Sequence, residues 1–455
     1  MTPGQPGEQL ILEIEGLNHR GEGIGRHRGQ VVFVPLAAPG DRIRATVTEV
    51  KKKYLRAGLA ELLESGTGRA VPRCPAFGRC GGCHIQHLDY AHQLQYKTGL
   101  VRNAFARIGG LDGTAVLSML GMDDPWHYRN KVRLHIGCRE GKVVLGFFAP
   151  SSHVLGRLTG ESFACRLLDE DLNRLVRVVE HWLNQNRNRL LADKGGISEI
   201  TLRKAAGTGE TMVVLTTAKD FRFRTEKMIG ELAASGRITT VVQQMAESAG
   251  REEDAEQTEI LYGPGYLTDR LDDLVFRLSA TSFYQVNPAQ TRVLYRLVRA
   301  YAGLTGREQV VDAFCGVGTI ALYLARRAGH VLGLELSPAA VADAQRNARL
   351  NKITNATFEQ GAVEKSLPRL LKGSHRPDLV VLDPPRRGCH RGMLDVLAGR
   401  AVPRVIYVSC DPATLARDLG YLAGHGYRLV EARPVDMFPQ TSHVECAVLM
   451  SRVEK

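Results

Sequence analysis

Short apolar runs alternate with helical segments along the C-terminal part of the chain. The strand candidates lie at residues 309–313, 330–336, 356–360, 378–383, 404–409 and 428–435, and helical patterns separate most of them. This alternation is typical of an open and mostly parallel α/β sheet with helices on its faces. We therefore predict an α/β domain that covers residues 263–455.

The first 63 residues have a different pattern, in which short apolar runs are separated by turn signals. Three strand-like runs lie at residues 10–14, 30–34 and 42–47, and the turn signals lie at 21–25 and 39–41. Strands of this length and spacing are typical of a compact barrel of the oligonucleotide-binding kind. The pattern predicts a small β-barrel over residues 1–63.

Between these two parts the pattern mixes strands and helices. Strands are predicted at residues 131–136, 197–203 and 211–217, a helix at 172–189, and a flexible connection at 246–258. Apolar residues also recur at helical spacing over residues 90–108, which predicts a helix. We expect this helix to pack on the C-terminal domain. Residues 64–262 are thus predicted to form a central α+β domain.

Composition and charge narrow the class of protein and the kind of partner. The 455 residues carry a net charge of +12 at pH 7 and have a pI near 9.3, which favours an anionic partner such as nucleic acid. The sequence has neither the run of about 18 apolar residues that a membrane-spanning helix needs nor a signal-peptide pattern. We therefore expect a cytoplasmic protein, whose nine cysteines indicate metal binding or catalysis rather than disulfides.

A glycine-rich turn follows the first strand of the predicted α/β sheet. Residues 310–321 contain a strand, the pattern Gly316-x-Gly318-x-x-Ala321 and the start of a helix. Glycines at such a turn let a ligand approach the backbone closely, and Glu335 lies at the end of the next strand, where it can accept hydrogen bonds from ribose hydroxyls. The pattern fits a dinucleotide site, and with Asp312 before it, it also fits an S-adenosylmethionine pocket.

The sequence Asp383-Pro384-Pro385 ends the fourth predicted strand. Two consecutive prolines stiffen the chain at the carboxyl edge of the sheet, where open α/β sheets bind their ligands. Asp383 can accept hydrogen bonds there from a ligand or a base. Basic residues follow directly and suit either RNA phosphates at a pocket mouth or a solvated surface; they are Arg386, Arg387, His390 and Arg391.

Cys410 lies between an apolar run, predicted to be a buried strand, and a helix start. Asp411 suits the helix cap and Pro412 suits the first helical position. The positive end of a helix dipole favours a thiolate, although the same position also suits an ordinary buried cysteine. Glu445 starts a later apolar run, and beside a nucleophilic cysteine it is a candidate proton acceptor.

Three further cysteines lie close together in a loop-like segment. Cys74, Cys80 and Cys83 have the spacing of a metal site that needs a fourth ligand. Cys138 and Cys165 are the candidates for that ligand. Four cysteines can hold either an iron–sulfur cluster or zinc, and the spacing alone leaves both open.

Five short motifs resemble, in the same order, the motif series of the RNA uracil-5 methyltransferases. They are Phe283-Tyr284-Gln285-Val286-Asn287, residues 312–318, Asp383-Pro384-Pro385-Arg386, Ser409-Cys410-Asp411-Pro412 and His443-Val444-Glu445. The resemblance implies a class I, Rossmann-like domain that transfers a methyl group from S-adenosylmethionine to carbon 5 of a uridine in RNA. It further implies that Cys410 is the nucleophile and Glu445 the base, and that the donor site is formed by Gln285, Phe314, Gly316, Thr319, Glu335 and Asp383.

Members of this family that have an N-terminal barrel, the TRAM domain, carry a 4Fe-4S cluster. By this resemblance the cluster ligands are Cys74, Cys80, Cys83 and Cys165. The barrel and the four cysteines together point to large-subunit (23S) ribosomal RNA as the substrate, with transfer RNA as the alternative. We also expect a monomer.

The chemistry of the uracil ring explains why one cysteine and one carboxylate are needed. Carbon 5 is a poor nucleophile until a thiolate adds at carbon 6 and forms an enolate, which attacks the donor methyl group. A base must then remove the carbon 5 proton so that the cysteine leaves. Three other functions stay open: an amino-directed base methyltransferase that uses only the Asp-Pro-Pro motif, a non-enzymatic RNA-binding factor, and a dinucleotide-dependent dehydrogenase.

Overall fold

Three β-sheets and a β-hairpin follow one another along the chain. The computed structural model describes residues 5–150, 152, 154–157, 164–190, 196–223, 226–246, 255–373 and 376–453. No helix within these ranges is long and apolar enough to cross a membrane.

The first sheet forms the N-terminal barrel around one apolar core, to which Leu10, Leu12 and Ile43 contribute. Its strand order is β1-β5-β6-β4-β3-β2. The six strands are β1 (Gln9–Glu13), β2 (Gly16–Leu17), β3 (Gly23–His27), β4 (Gln30–Val34), β5 (Arg42–Val50) and β6 (Tyr54–Glu64).

The turn predicted at residues 21–25 is wrong from Gly23 onward, because this residue starts β3. A Cβ atom at Gly23 would come within 2.9 Å of the Ala37 Cβ, so the glycine permits a close approach of two segments. The sequence pattern does not predict β6 either, because burial alternates only as far as Ala57 in this strand.

The central part of the chain contains helix α1 and a second, seven-stranded sheet in the order β13-β12-β11-β10-β7-β8-β9. Helices α2 and α4 pack their apolar residues against this sheet. The helices are α1 (Tyr90–Ala104), α2 (Glu170–Gln185), α3 (Arg187–Leu190) and α4 (Glu226–Gly236), and the strands are β7 (Lys131–Arg139), β8 (Lys142–Phe148), β9 (Leu155–Arg157), β10 (Ile197–Lys204), β11 (Thr211–Ala218), β12 (Thr240–Ala246) and β13 (Ala255–Tyr262).

Both ends of the connection predicted at residues 246–258 belong to β-strands. Ala246 is the last residue of β12, and residues 255–258 already belong to β13. Residues 247–254 lie outside the described residues.

The third sheet has the order β18-β17-β16-β19-β20-β22-β21 and is the predicted α/β sheet. A hairpin of β14 (Tyr266–Leu271) and β15 (Leu274–Ser279) precedes it. Its strands are β16 (Gln309–Ala313), β17 (His330–Glu335), β18 (Ala356–Gln360), β19 (Leu379–Leu382), β20 (Arg404–Ser409), β21 (Tyr427–Val435) and β22 (Glu445–Arg452). Its helices are α5 (Pro288–Ala302), α6 (Thr319–Ala325), α7 (Pro338–Leu350), α8 (Val363–Lys372), α9 (Arg391–Gly399) and α10 (Pro412–Ala423).

The strand directions in this sheet confirm the predicted Rossmann-like fold. Strands β16 to β20 are parallel, and β22 runs antiparallel to both β20 and β21. The strand order reverses at β16, with β17 on one side and β19 on the other. Ligands of open α/β sheets bind at the carboxyl ends of the strands beside such a reversal.

Helix α1 packs into the core of the third sheet. Val101 and Phe105 are fully buried and belong to the same apolar cluster as Tyr407 and Leu415. At its other side, the Tyr96 hydroxyl donates a hydrogen bond to the carbonyl oxygen of Asn18 in the barrel (2.6 Å). The helix thus lies between the barrel and the third sheet.

A buried ion pair attaches α1 to the segment between β21 and β22. Lys97 Nζ lies 2.6 Å from Asp436 Oδ1 and 3.0 Å from the Phe438 carbonyl oxygen, and both charged side chains are fully buried. The Tyr90 hydroxyl donates another hydrogen bond to Asp436 (2.9 Å). Because both charges are out of water, removal of either one leaves the other unpaired.

We expect Lys97→Met to lower the free energy of unfolding by about 3–5 kcal/mol, because the Asp436 carboxylate then stays buried without its cation. Thermal and urea unfolding of the full chain measure this change. The double variant Lys97→Met/Asp436→Leu removes both charges and should recover most of the loss. A single variant that is as stable as the wild type would contradict this role of the pair.

Candidate active site

The glycine-rich loop between β16 and α6 contains three residues with left-handed backbone angles. They are Phe314 (φ 70°), Gly316 (φ 55°) and Gly318 (φ 82°). The main-chain amides of Phe314 and Cys315 both donate to the Leu334 carbonyl oxygen (3.0 Å), which holds the loop against β17. Gly318 then occupies the N-cap position of α6.

This loop lines a pocket at the carboxyl end of the third sheet. The structure brings five of the six predicted donor-site residues together in the pocket lining: Gln285, Phe314, Gly316, Thr319 and Asp383. Glu335 instead accepts hydrogen bonds from the main-chain amides of Gly316 (3.0 Å) and Ser337 (2.8 Å). In this structure Glu335 therefore supports the loop.

Asp312 and Tyr295 also line this pocket, although neither is among the six predicted donor-site residues. Asp312 is fully buried at the end of β16, and neither carboxyl oxygen has a hydrogen-bond partner among the described residues. Tyr295 donates from α5 to the Thr319 hydroxyl (3.0 Å). The aspartate before the glycine-rich turn was a usable signal for Asp312, whereas no sequence pattern connects Tyr295 to this loop.

Asp383 lines the pocket as the first residue of the Asp-Pro-Pro segment that follows β19. Burial raises its pKa to about 7. Burial and, after it, the charge of Asp383 raise the pKa values of both Asp312 and Glu445 well above the ordinary range. Three carboxyl groups therefore influence one another at this end of the sheet.

Cys410 lies where β20 ends and α10 begins, and the predicted helix start is confirmed. Asp411 caps the helix, because its Oδ1 accepts hydrogen bonds from the main-chain amides of Ala413 (3.0 Å) and Thr414 (2.9 Å). Pro412 occupies the first helical position. The cysteine is half-buried at the positive end of α10.

The protonation of Cys410 differs from the expectation. Burial raises the pKa of its thiol to about 11, and the charges of Glu445 and Asp383 raise it as well, while the charge and hydrogen bond of Arg386 lower it. The prediction that the helix start favours a thiolate is therefore wrong for the protein without substrate. Burial is the largest cause of the raised pKa, and the charge of Glu445 is the next.

The register of the sheet places Glu445 beside Cys410. In the antiparallel pair of β20 and β22, Ser409 lies opposite Cys446. The next residues outward, Cys410 and Glu445, therefore meet at the same end of the sheet. Glu445 is only 4% exposed, and a buried carboxylate with a raised pKa is a stronger base than a solvated one.

Cys410 opens onto a cleft between the barrel and the third sheet. Residues from each part of the molecule line it, including Arg20 and Arg56 of the barrel, His84, Leu100 and Ala104 of the central part, and Arg386, Cys410 and His443 of the C-terminal part. The cleft gives a large ligand access to the thiol.

The predicted basic patch is divided between two places, so a single patch at the pocket mouth is wrong. Arg386 lines the cleft beside the thiol. Arg387 and Arg391 lie in a separate hollow, where Arg387 pairs with Glu364 (2.9 Å) and the Arg391 guanidinium stacks on the Tyr421 ring (3.2 Å).

Four cysteines line one cavity, and they are the set that the family resemblance implies: Cys74, Cys80, Cys83 and Cys165. The alternative fourth residue, Cys138, is exposed on β7 and does not belong to this lining. No three His, Cys, Asp or Glu side chains in the described ranges are arranged to hold a metal ion.

Burial raises the pKa of the Cys80 thiol to about 11 and that of the Cys83 thiol to about 12. The charge of Cys165 raises both pKa values further, so the thiols lie close enough to influence one another. Arg129 also lines the cavity, and its Nε has no hydrogen-bond partner among the described residues. A cavity that is lined by a cation and several thiols suits an anionic group that is bound through the cysteine sulfurs.

Known proteins are similar to this chain in sequence. The family described as tRNA (Uracil-5-)-methyltransferase matches residues 89–453, and the TRAM domain matches residues 3–60. An uncharacterized RNA methyltransferase of Bacillus cereus is 40% identical over 100% of this chain and 99% of its own length. One of Halalkalibacterium halodurans is 38% identical, over 99% of this chain and 98% of its own.

A solved structure is also similar over nearly the whole chain. It is that of Pyrococcus abyssi tRNA (uracil-54, C5)-methyltransferase in complex with S-adenosyl-L-homocysteine. The TM-score is 0.75 and the sequence identity 25%, and the match covers 97% of this chain and 100% of that chain.

A Rossmann-like sheet with a glycine-rich pocket beside an RNA-binding barrel defines an RNA methyltransferase. Its methyl donor is S-adenosylmethionine and its substrate is RNA. The chain belongs to the RNA uracil-5 methyltransferase family, which confirms the resemblance of the motif series.

We expect iodoacetamide to alkylate Cys410 slowly at pH 7, with a rate that rises about tenfold per pH unit, because the thiolate fraction of a thiol with a pKa of about 11 rises in this proportion. Mass spectrometry of the Cys410 peptide measures the rate, with the exposed Cys138 as an internal reference. Arg386→Gln should slow the alkylation further, since Arg386 lowers the thiol pKa. A rate that is already maximal at pH 7 would contradict the raised pKa.

Proposed function

We propose that this enzyme methylates carbon 5 of a uridine in RNA through a covalent bond between Cys410 and carbon 6 of the base. The observation that carries the proposal is the register of β20 and β22, which brings Cys410 and Glu445 to the same end of the sheet. The cleft and the pocket of Asp383 open there as well. An amino-directed methyltransferase has no use for either the cysteine or the glutamate.

In the proposed reaction the Cys410 thiol first loses its proton to water in the cleft. The thiolate then adds to carbon 6, and the electron pair of the ring double bond moves onto the carbonyl group to form an enolate. Carbon 5 then bonds to the methyl group of S-adenosylmethionine, and the bond between that methyl group and sulfur breaks. Glu445 takes the carbon 5 proton, and the electron pair of that C–H bond expels the cysteine sulfur from carbon 6. The products are 5-methyluridine, S-adenosylhomocysteine and the restored thiolate.

The surroundings of the two reacting side chains support these roles. Arg386 lines the cleft with Cys410 and lowers the pKa of its thiol, so it can stabilise the thiolate. Glu445 is buried and has a raised pKa, so its carboxylate, once ionised, is a stronger base than a solvated carboxylate.

We assign donor binding to the pocket and to its supporting loop. Asp383 and the unpartnered Asp312 offer acceptors for the hydroxyl and ammonium groups of S-adenosylmethionine. The proposed donor-site residues are Gln285, Phe314, Gly316, Thr319, Glu335 and Asp383.

We propose that Cys74, Cys80, Cys83 and Cys165 hold a 4Fe-4S cluster. The four thiols line one cavity, and four cysteines are a ligand set that either such a cluster or a zinc ion takes; the family resemblance favours the cluster. Phe77 and Phe147 line the same cavity and would shield the cluster from water. Because methylation of carbon 5 is not a redox reaction, the role that we assign to the cluster is structural.

For the RNA substrate we propose large-subunit ribosomal RNA, which the four cysteines support through the family resemblance. Transfer RNA is the second candidate, because the matching family and the Pyrococcus abyssi enzyme both carry tRNA in their names. That structure matches 97% of this chain, so the barrel does not separate the two candidates.

All nine cysteines are free, which agrees with the reducing cytoplasm as the proposed compartment.

Mapping of 5-methyluridine in RNA from a deletion strain tests this proposal. Wild-type enzyme from a plasmid should restore at least one 5-methyluridine in 23S ribosomal RNA that the deletion removes. Cys410→Ala should restore none, and Glu445→Gln should lower the rate by about 10²–10⁴-fold, because its amide accepts no proton. Cys138→Ala, at an exposed cysteine, is the matched control.

The outcomes of this experiment separate the alternatives. Loss of 5-methyluridine from transfer RNA alone would establish the second candidate. Unchanged 5-methyluridine in every RNA would overturn the substrate assignment, and a fully active Cys410→Ala would overturn the covalent mechanism.

We expect protein purified without oxygen to show the broad visible absorption of an iron–sulfur cluster and to contain iron and acid-labile sulfide. Cys74→Ser should lose this absorption, because it removes one of the four ligands. Cys138→Ser should keep it. A colourless wild-type protein that contains zinc would overturn the cluster assignment.

A further inference from the structure

We propose that His84 is a positioning residue for Glu445 and links the four-cysteine loop to the proton-transfer step. The inference rests on the proposed function, in which Glu445 removes the carbon 5 proton. It is carried by the hydrogen bonds between the loop that contains Cys80 and Cys83 and the segment that leads into β22.

The segment between β21 and β22, residues 436–444, has a conformation that needs support from outside. Gln440 has a left-handed backbone angle (φ 69°) although it is not a glycine. Gln440, Thr441 and Val444 are all nearly fully buried. Such a backbone angle persists where the surrounding structure holds it.

Helix α1 provides part of this support. The Gln93 side-chain amide donates to Gln440 Oε1 (2.9 Å), and the Gln440 main-chain amide donates back to Gln93 Oε1 (3.1 Å). The four-cysteine loop provides a second part, since the main-chain amides of His84 (3.0 Å) and Ile85 (3.2 Å) both donate to the Gln440 carbonyl oxygen.

The His84 side chain adds a contact closer to the base. The main-chain amide of Ser442 donates to His84 Nδ1 (3.3 Å), and the His84 ring meets the His443 ring edge to face, with 5.5 Å between the ring centres. Ser442 is buried and lies three residues before Glu445. Since a buried amide without an acceptor is unfavourable, loss of Nδ1 would displace this part of the segment.

The same loop also builds the four-cysteine cavity. Cys83 directly precedes His84, and the Gln86 side chain accepts a hydrogen bond from the Cys74 main-chain amide (3.2 Å). Binding of a group by the cysteines would therefore order residues 83–86 and, through His84, the position of Glu445. This gives the cysteines a function in a reaction without a redox step.

The effect should fall on one step of the reaction. Addition to carbon 6 uses Cys410, at the end of β20, whereas release of the sulfur waits until the carbon 5 proton has moved to Glu445. A displaced Glu445 would slow this release. Methylated RNA would then stay covalently bound to Cys410.

We expect His84→Ala to accumulate at least about threefold more covalent RNA–protein adduct than the wild type, and Glu445→Gln to accumulate still more. His84→Asn places an oxygen near the position of Nδ1 and should return the adduct to the wild-type level. His181→Ala, at an exposed position of α2, is the control. The probes are in vitro transcripts of 23S ribosomal RNA and of transfer RNA with radiolabelled S-adenosylmethionine, and denaturing gels measure the adduct.

Hydrogen exchange gives a second readout that does not depend on RNA. The amides of residues 436–444 should exchange faster than in the wild type both in His84→Ala and in Cys83→Ser, because each variant weakens the support of this segment. They should exchange at the wild-type rate in His84→Asn and in the His181→Ala control.

Two results would overturn the inference: wild-type adduct levels in His84→Ala, or equally fast exchange in both His84 variants. Absence of adduct in Glu445→Gln would count against the proposed function instead. The exchange rates would then still decide whether His84 holds the segment.

Discussion

The buried ion pair between Lys97 and Asp436 is the interaction on which the arrangement of the active site depends. It attaches α1 to the segment that ends at Glu445, and the Tyr90 hydroxyl completes the polar contacts of Asp436. On its other side α1 is bonded to the barrel through Tyr96. A displacement that separates these two charges while either one stays buried is costly, so α1 and this segment keep their relative position. The ion pair therefore sets the position of the barrel side of the cleft relative to the proposed base.

Burial, rather than the helix start, determines the protonation of the reacting groups. The sequence places Cys410 at a helix N-terminus, which taken alone favours a thiolate. In the folded protein the same cysteine is half-buried next to two carboxyl groups, and its pKa rises to about 11. Arg386 opposes this rise from within the cleft. The thiol is thus kept neutral in the resting protein, and its activation depends on this arginine and on what enters the site.

The strands of the third sheet could be predicted because parallel strands buried on both faces form continuous apolar runs. Residues 309–313 and 404–409 are such strands and have the predicted bounds. Residues 356–360 also have them, although this strand lies at the sheet edge and no residue in it is fully buried. The barrel was less predictable, since Gly23 looks like a turn residue but serves close packing within a strand. The contacts of Gln93 with Gln440 and of Lys97 with Asp436 join residues that are 347 and 339 positions apart. The local sequence does not predict these contacts, because a charged or amide side chain that will be buried has the same sequence pattern as one that stays in water.

The methyl donor completes the charge balance of this site. Asp312 and Asp383 line the donor pocket with raised pKa values, and neither Asp312 oxygen has a partner among the described residues. The sulfonium of S-adenosylmethionine is a cation, and a cation near these groups favours their ionised forms. Methyl transfer removes that positive charge, and in the proposed mechanism the proton that Glu445 accepts removes one negative charge soon afterwards. The positive charge lost at sulfur and the negative charge lost at Glu445 therefore cancel, in surroundings where an unpaired charge is costly.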